Sequence, residues 1–169
     1  MKRAEVVLIS TTPSGRMMLA LGIDTVSGQL GGWGGRIEKD EDVYMAASRE
    51  LAEESLGLFL LSPKHVRNAH VLSTHTERTT CFFILIPLTT MLSLPLAFRA
   101  RHERAKNAEM SGVRLLFLDS LRLVCQTDEV YEVDREMIHA AWGSLVRLER
   151  QHVATNAVND AAINSTQGH

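Results

Sequence analysis

Cysteine is nearly absent from this chain. Cys81 and Cys125 are the only two in 169 residues, and no Cys-x-x-Cys pair exists. Two thiols cannot make a disulfide framework, so the plain reading is two free thiols in a reducing compartment, the cytoplasm, with a single bridge left open. An excess of either charge is lacking too. Eighteen basic against twenty acidic side chains leave a net charge of −2, which excludes global attraction to nucleic acid or to an anionic membrane. Long apolar runs are also missing. The first, at Val6 to Ile9, is bounded by Glu5 and by Ser10-Thr11-Thr12, too short for a signal-peptide core. The span from Cys81 to Phe98 is interrupted by Pro87, Thr89, Thr90, Ser93 and Pro95. Proline costs about 3 kcal/mol inside a helix, so this span reads as a strand followed by a loop and not as a membrane helix. His65, His70, His75 and His102 show no metal-ligand spacing such as His-x₃-His. There is no internal repeat and no coiled-coil heptad.

What is present suits one globular domain: 45 % hydrophobic and 22 % charged residues. The reading places that domain at 1–152 and a polar, disordered tail at 153–169. A β-rich run at 3–10, a turn at Pro13-Ser14-Gly15 and a return from Met17 to Gly22 predict a hairpin. Residues 27–41 are dense in glycine, which breaks regular structure and bares backbone amides. From Asp42 to about Leu56 there is no Gly or Pro, and Ala, Glu, Leu and Met dominate, so a helix is expected. Asp40 or Asp42 can cap it, and Gly57 can stop it. Further expectations are strands at 66–73 and 79–88, an irregular stretch at 89–111, a strand at 113–118, a short helix from Asp119, and a long helix from Val130 to about Gln151.

On the 42–56 helix, Glu50, Glu53 and Glu54 fall at relative angles of about 0°, 300° and 40°. Three carboxylates in one sector repel each other, and a hard cation such as Mg²⁺ would turn that repulsion into attraction. Taken alone, three such acids are an ordinary solvated face.

Their surroundings change this. Gly35 is followed by five residues, then Glu41, then seven residues, then Arg49-Glu50-Leu51-Ala52-Glu53-Glu54. This resembles the signature of the Nudix hydrolases, and Gly34-Gly35-Arg36 resembles the opening of that family's box. One departure stands out. The family has one residue between the last Glu and the closing Gly, whereas here Ser55 and Leu56 both precede Gly57.

The resemblance implies an α+β fold, an α/β/α sandwich with a mixed β-sheet. It implies a Mg²⁺ cofactor, with Mn²⁺ as substitute, held by Glu50, Glu53, Glu54 and the carbonyl of Gly34. Glu109, just before the 113–118 strand, is the best candidate for the extra acidic ligand that many members take from a later loop, ahead of Glu103 and Glu77. Glu50 is the first choice for the base that activates water and Glu53 the second, and Arg49 would orient the carboxylates. Arg36 is a candidate for a substrate phosphate. Trp33 could stack on a base or plug the sheet. The leading function is hydrolysis of a nucleoside diphosphate linked to another moiety, most simply a (d)NTP or a damaged nucleotide cleaved to its monophosphate. The 99–106 stretch, with Arg99, Arg101, Arg104 and Lys106, raises the alternative of mRNA decapping, with capped RNA as partner and m⁷GDP as product. A non-catalytic nucleotide-binding module is the third reading, though such modules generally lose the glutamates kept here. No membrane partner is expected, and oligomeric state is left open. The proline of the ADP-ribose subgroup, the tyrosine of the dinucleotide-polyphosphate subgroup and the Ser-Gln-Pro-Trp type motif of NADH-cleaving members are all absent.

Overall fold

The computed structural model describes residues 2–166, with side chains through 152. Strand β1 (Arg3–Thr11) lies at the centre. It runs parallel to β6 (Thr79–Leu85) on one side. On the other side it has two antiparallel partners in succession: its first half pairs with β4 (Trp33–Arg36) and its second half with β2 (Met17–Asp24). The sheet therefore forks along β1, and the glycine-rich segment enters at the fork. β3 (Leu30–Gly31) and β7 (Met110–Phe117) add to β2, and β5 (His70–His75) adds to β6.

Helices cover both faces. α1 (Val43–Glu54), α2 (Pro63–Ala69) and α3 (Leu88–His102) pack on one, against Ala4, Val6, Leu8, Phe82 and Ile84. α4 (Leu118–Val124) and α5 (Glu132–Thr166) pack on the other, against Val7, Ile9, Met17, Phe83 and Cys81. Successive residues of β1 thus enter different cores, which is why its sequence is a continuous apolar run and not an alternation. The same holds for Phe82, Phe83 and Ile84. Both cysteines are free and buried, and among the described residues no helix is long and apolar enough to cross a membrane.

Four sequence expectations need correction. The stretch read as irregular at 89–111 is helix α3 over most of its length. Met91, Leu94 and Phe98 form its buried face, and Arg99, Arg101 and His102 sit in its last turn, where the helix dipole favours positive charge. Burial of that face offsets the missing donor of Pro95. Residues 66–69, read as strand, belong to α2, whose signal was present in the sequence: Ser62 caps it, accepting from His65 N–H, and Pro63 sits in its first turn. Trp33, offered as a base-stacking residue, is instead the plug. Its indole is fully buried, donates to the Ala20 carbonyl at 3.3 Å and lies 6.0 Å from the Phe98 ring. The late helix, expected to end near Gln151, continues as helical backbone to Thr166, while 167–169 of the expected tail lie outside the described residues.

Candidate active site

Asp42 caps α1, its Oδ1 accepting from Tyr44 and Met45 N–H at 2.9 and 2.8 Å. This start fixes the helix phase. Ala46, Ala47 and Leu51 then turn inward, and the acids turn toward β4. The extra residue before Gly57 leaves the acids alone. α1 ends at Glu54, and the chain leaves through two left-handed residues, Leu56 at φ 54° and Gly57 at φ 73°. A leucine with positive φ is strained. Here the Leu56 carbonyl accepts from Arg101 Nη1 at 2.8 Å and its side chain packs on the core.

Arg49 is the knot of the site. Its Nε and Nη2 donate to the two oxygens of Glu41 at 2.8 and 3.0 Å. Its Nη1 donates to Glu50 at 2.8 Å and Glu53 at 3.1 Å, and Nη2 also reaches the Arg36 carbonyl at 3.0 Å. Glu41 holds the guanidinium pKa above its ordinary value, and in return Arg49 lowers that of Glu41. The guanidinium fork thus ties the two ends of the box together.

Glu54 is buried, and its Oε2 accepts from Gly34 N–H at 2.7 Å. Burial pushes its pKa to about 8, against the pull of that hydrogen bond, and Glu50 and Glu109 add to the rise. Glu50 is raised as well, chiefly by burial. Gly34 and Gly35 have no room for a side chain: a Cβ on Gly34 would overlap Glu5 and the Ala4 carbonyl, and one on Gly35 would overlap the Glu50 carboxylate. Gly35→Ala is therefore expected to displace Glu50 and cut turnover at least about tenfold, with circular dichroism unchanged. Wild-type turnover in that variant would show that the Glu50 position does not matter.

Gly34, Gly35, Arg49, Glu50, Glu53 and Glu54 line one cleft of about 720 Å³, together with Arg36 and Glu109, while Glu41 lies on the adjoining hollow. The structure thus brings Gly34, Arg36, Arg49, Glu50, Glu53, Glu54 and Glu109 to a common wall. Glu77 and Glu103 are not on it: Glu77 faces two neighbouring hollows and Glu103 pairs with Arg99 on α3. The donor set suits a hard divalent cation in kind, with four carboxylates and the Gly34 carbonyl on one cleft against few cationic side chains. Among the described residues, no three His, Cys, Asp or Glu side chains already converge on one point. Arg49 draws Glu50 and Glu53 aside, and Gly34 N–H draws Glu54.

A second acidic layer lies behind the first, and it was missed in the sequence. Glu5 and Asp134 are both buried. Asp134 Oδ1 accepts from Gly32 N–H at 2.6 Å, and Arg3 Nε donates to Glu5 Oε1 at 3.2 Å. Burial and mutual repulsion hold the Glu5 pKa well up, and burial lifts Asp134 to about 6. The signals were there. Glu5 interrupts an apolar strand, and Asp134 shares a helix face with Met137, Ile138 and Ala141. Tyr131, Val133, Met110 and Asp24 complete the cleft wall.

The fold has solved counterparts. A MutT/Nudix family protein from Listeria innocua matches with a TM-score of 0.52 at 14 % identity, over 86 % of this chain and 94 % of that one. A Nudix protein from Listeria monocytogenes matches with a TM-score of 0.52 at 14 % identity, over 88 % and 97 %. The fold is that of the Nudix proteins. The expectation of an α+β sandwich with a mixed sheet stands. No protein-family model and no curated protein matches the chain.

Proposed function

We propose that this chain is a Nudix hydrolase, a divalent-metal-dependent pyrophosphohydrolase that cleaves a (d)NTP or damaged nucleotide to its monophosphate. The observation that carries this reading is the Arg49 knot. One guanidinium joins Glu41 to Glu50, Glu53 and the Arg36 carbonyl, and Glu50 and Glu53 share a cleft with Glu54 and Glu109. A solvated acidic face would not hold its glutamates around a shared arginine with a fourth carboxylate buried at its edge.

Glu50, Glu53, Glu54, Glu109 and the Gly34 carbonyl would hold Mg²⁺ or Mn²⁺, which when bound neutralises charge building on the phosphate oxygens. Glu50 is the proposed base, orienting the attacking water and taking its proton. Arg49 positions it, and Arg36 stands at the cleft mouth for a phosphate. With Trp33 buried, the aromatic on the cleft wall is Tyr131. Together with Met110 and Val133 it offers a surface for a base. A volume of about 720 Å³ lies within the range of small-molecule sites.

The decapping alternative gains nothing from the basic stretch. Arg99, Arg101, Arg104 and Lys106 are not on the cleft wall, and Arg101 and Arg99 are engaged with Leu56 and Glu103. A panel of (d)NTPs, oxidised nucleotides and capped RNA, each with Mg²⁺ and with Mn²⁺, tests the ranking. The expected products are monophosphate and pyrophosphate from free nucleotides. Release of m⁷GDP from RNA with negligible turnover of triphosphates would reverse it.

A further inference from the structure

The Gly34 carbonyl, assigned above to the cation, already has a cationic partner. Arg3, the first residue of β1, donates from Nη2 to that oxygen at 3.0 Å, and from Nε to Glu5 Oε1 at 3.2 Å. Its side chain is 41 % exposed. It stands on the wall shared by the carboxylate cleft and an adjoining hollow of about 470 Å³ lined by Lys2, His75 and Arg78. A guanidinium and a divalent cation on one carbonyl oxygen repel strongly in a partly desolvated cleft. They can coexist there only when an anion lies between them.

We infer that Arg3 occupies the cation's place at Gly34 in the free protein and becomes a ligand of the substrate's phosphates once the cation takes that carbonyl. Glu5 makes the exchange feasible. It is buried behind Arg3, and its Oε1 keeps the guanidinium tethered while Nη2 is released toward the cleft. The fork of an arginine suits two oxygens of one phosphate, and of the two other arginines on the cleft wall Arg49 is committed to three carboxylates while Arg36 is exposed and makes no contact with the Gly34 carbonyl. Arg3 thus competes with the metal before substrate arrives and cooperates with it afterwards.

This inference rests on the metal reading of the cleft, and its test separates the two. Mn²⁺ affinity is measured by electron paramagnetic resonance without nucleotide. Affinity for imidodiphosphate, a non-hydrolysable pyrophosphate, is measured by calorimetry at saturating Mn²⁺. Arg3→Gln should bind Mn²⁺ about tenfold more tightly, because a like charge is gone. It should bind imidodiphosphate about tenfold more weakly, and raise KM more than it lowers kcat. A merely structural arginine would weaken both affinities together, and that result, or no change in either, overturns the inference. Should Arg3→Gln fail to fold, Arg3→Lys decides. It keeps the charge but cannot bridge Gly34 and Glu5, so imidodiphosphate binding should still fall several-fold, and unchanged binding refutes the role. Wild-type protein that binds no Mn²⁺, or Glu54→Gln that binds it as wild type does, would overturn the metal site itself and this inference with it.

Discussion

Glu54→Gln should lower kcat about a hundredfold or more while leaving the metal-free protein at least as stable as wild type. The opposite signs follow from one side chain. Glu54 is buried and accepts from Gly34 N–H at 2.7 Å. A glutamine can present its carbonyl oxygen to the same N–H, so the link between α1 and β4 survives. The charge does not survive, and that charge is what burial disfavours, as its pKa near 8 records. Removing it relieves the metal-free fold and removes a group proposed to bind the metal, a loss of the size expected for a metal or base group. Glu53→Gln tests the same point from an exposed position. Glu53 is 59 % exposed and, among the described residues, ion-paired only with Arg49, so stability should hardly move while turnover falls comparably. If kcat is unchanged in both variants, the site assignment is wrong. A fall in turnover that tracks lost thermal stability would instead mark these residues as structural.

The gathering of Arg49, Glu50, Glu53 and Glu54 on one cleft wall was legible because their spacing is rigid. A helix fixes Arg49, Glu50, Glu53 and Glu54 relative to one another, and Gly34 and Gly35 lie where any side chain would strike Glu5 or Glu50. Local rules of that kind survive in a single sequence. What failed depended on distant partners. Pro95 argued against a helix on intrinsic propensity, and the burial of Met91, Leu94 and Phe98 overrode it. Trp33 sits among phosphate-binding candidates in sequence, but alternation along β4 turns it to the face opposite Gly34, under α3. Glu5 and Asp134 are 129 positions apart and meet only because β1 and the start of α5 share one side of the sheet. A charge within an apolar strand and a charge on an apolar helix face were each visible. Their pairing was not.

That second layer gives the last expectation: the metal-free protein should be less stable at pH 8 than at pH 5. Glu5, Glu54 and Asp134 all have folded-state pKa values above their ordinary ones, with Glu54 at about 8 and Asp134 at about 6. Below the ordinary carboxyl range both the folded and the unfolded chain hold these protons, and the three groups cost nothing. As pH rises, the unfolded chain releases them first, so stability drains away until the folded-state values are passed. A loss on the order of 3 kcal/mol is expected between pH 5 and 8, or on the order of 10 °C in melting temperature for a domain of this size. Mg²⁺ or Mn²⁺ at pH 8 should restore much of it, about 2.7 kcal/mol at a hundredfold excess over Kd. At pH 5 the same ions should do far less, because the protonated Glu54 no longer offers them a charge. Scanning calorimetry at the two pH values, with and without metal, reads all four states. A melting temperature that rises from pH 5 to 8 without metal, or a metal effect equal at both, would mean that the buried carboxylates are compensated by something other than protons and the cation.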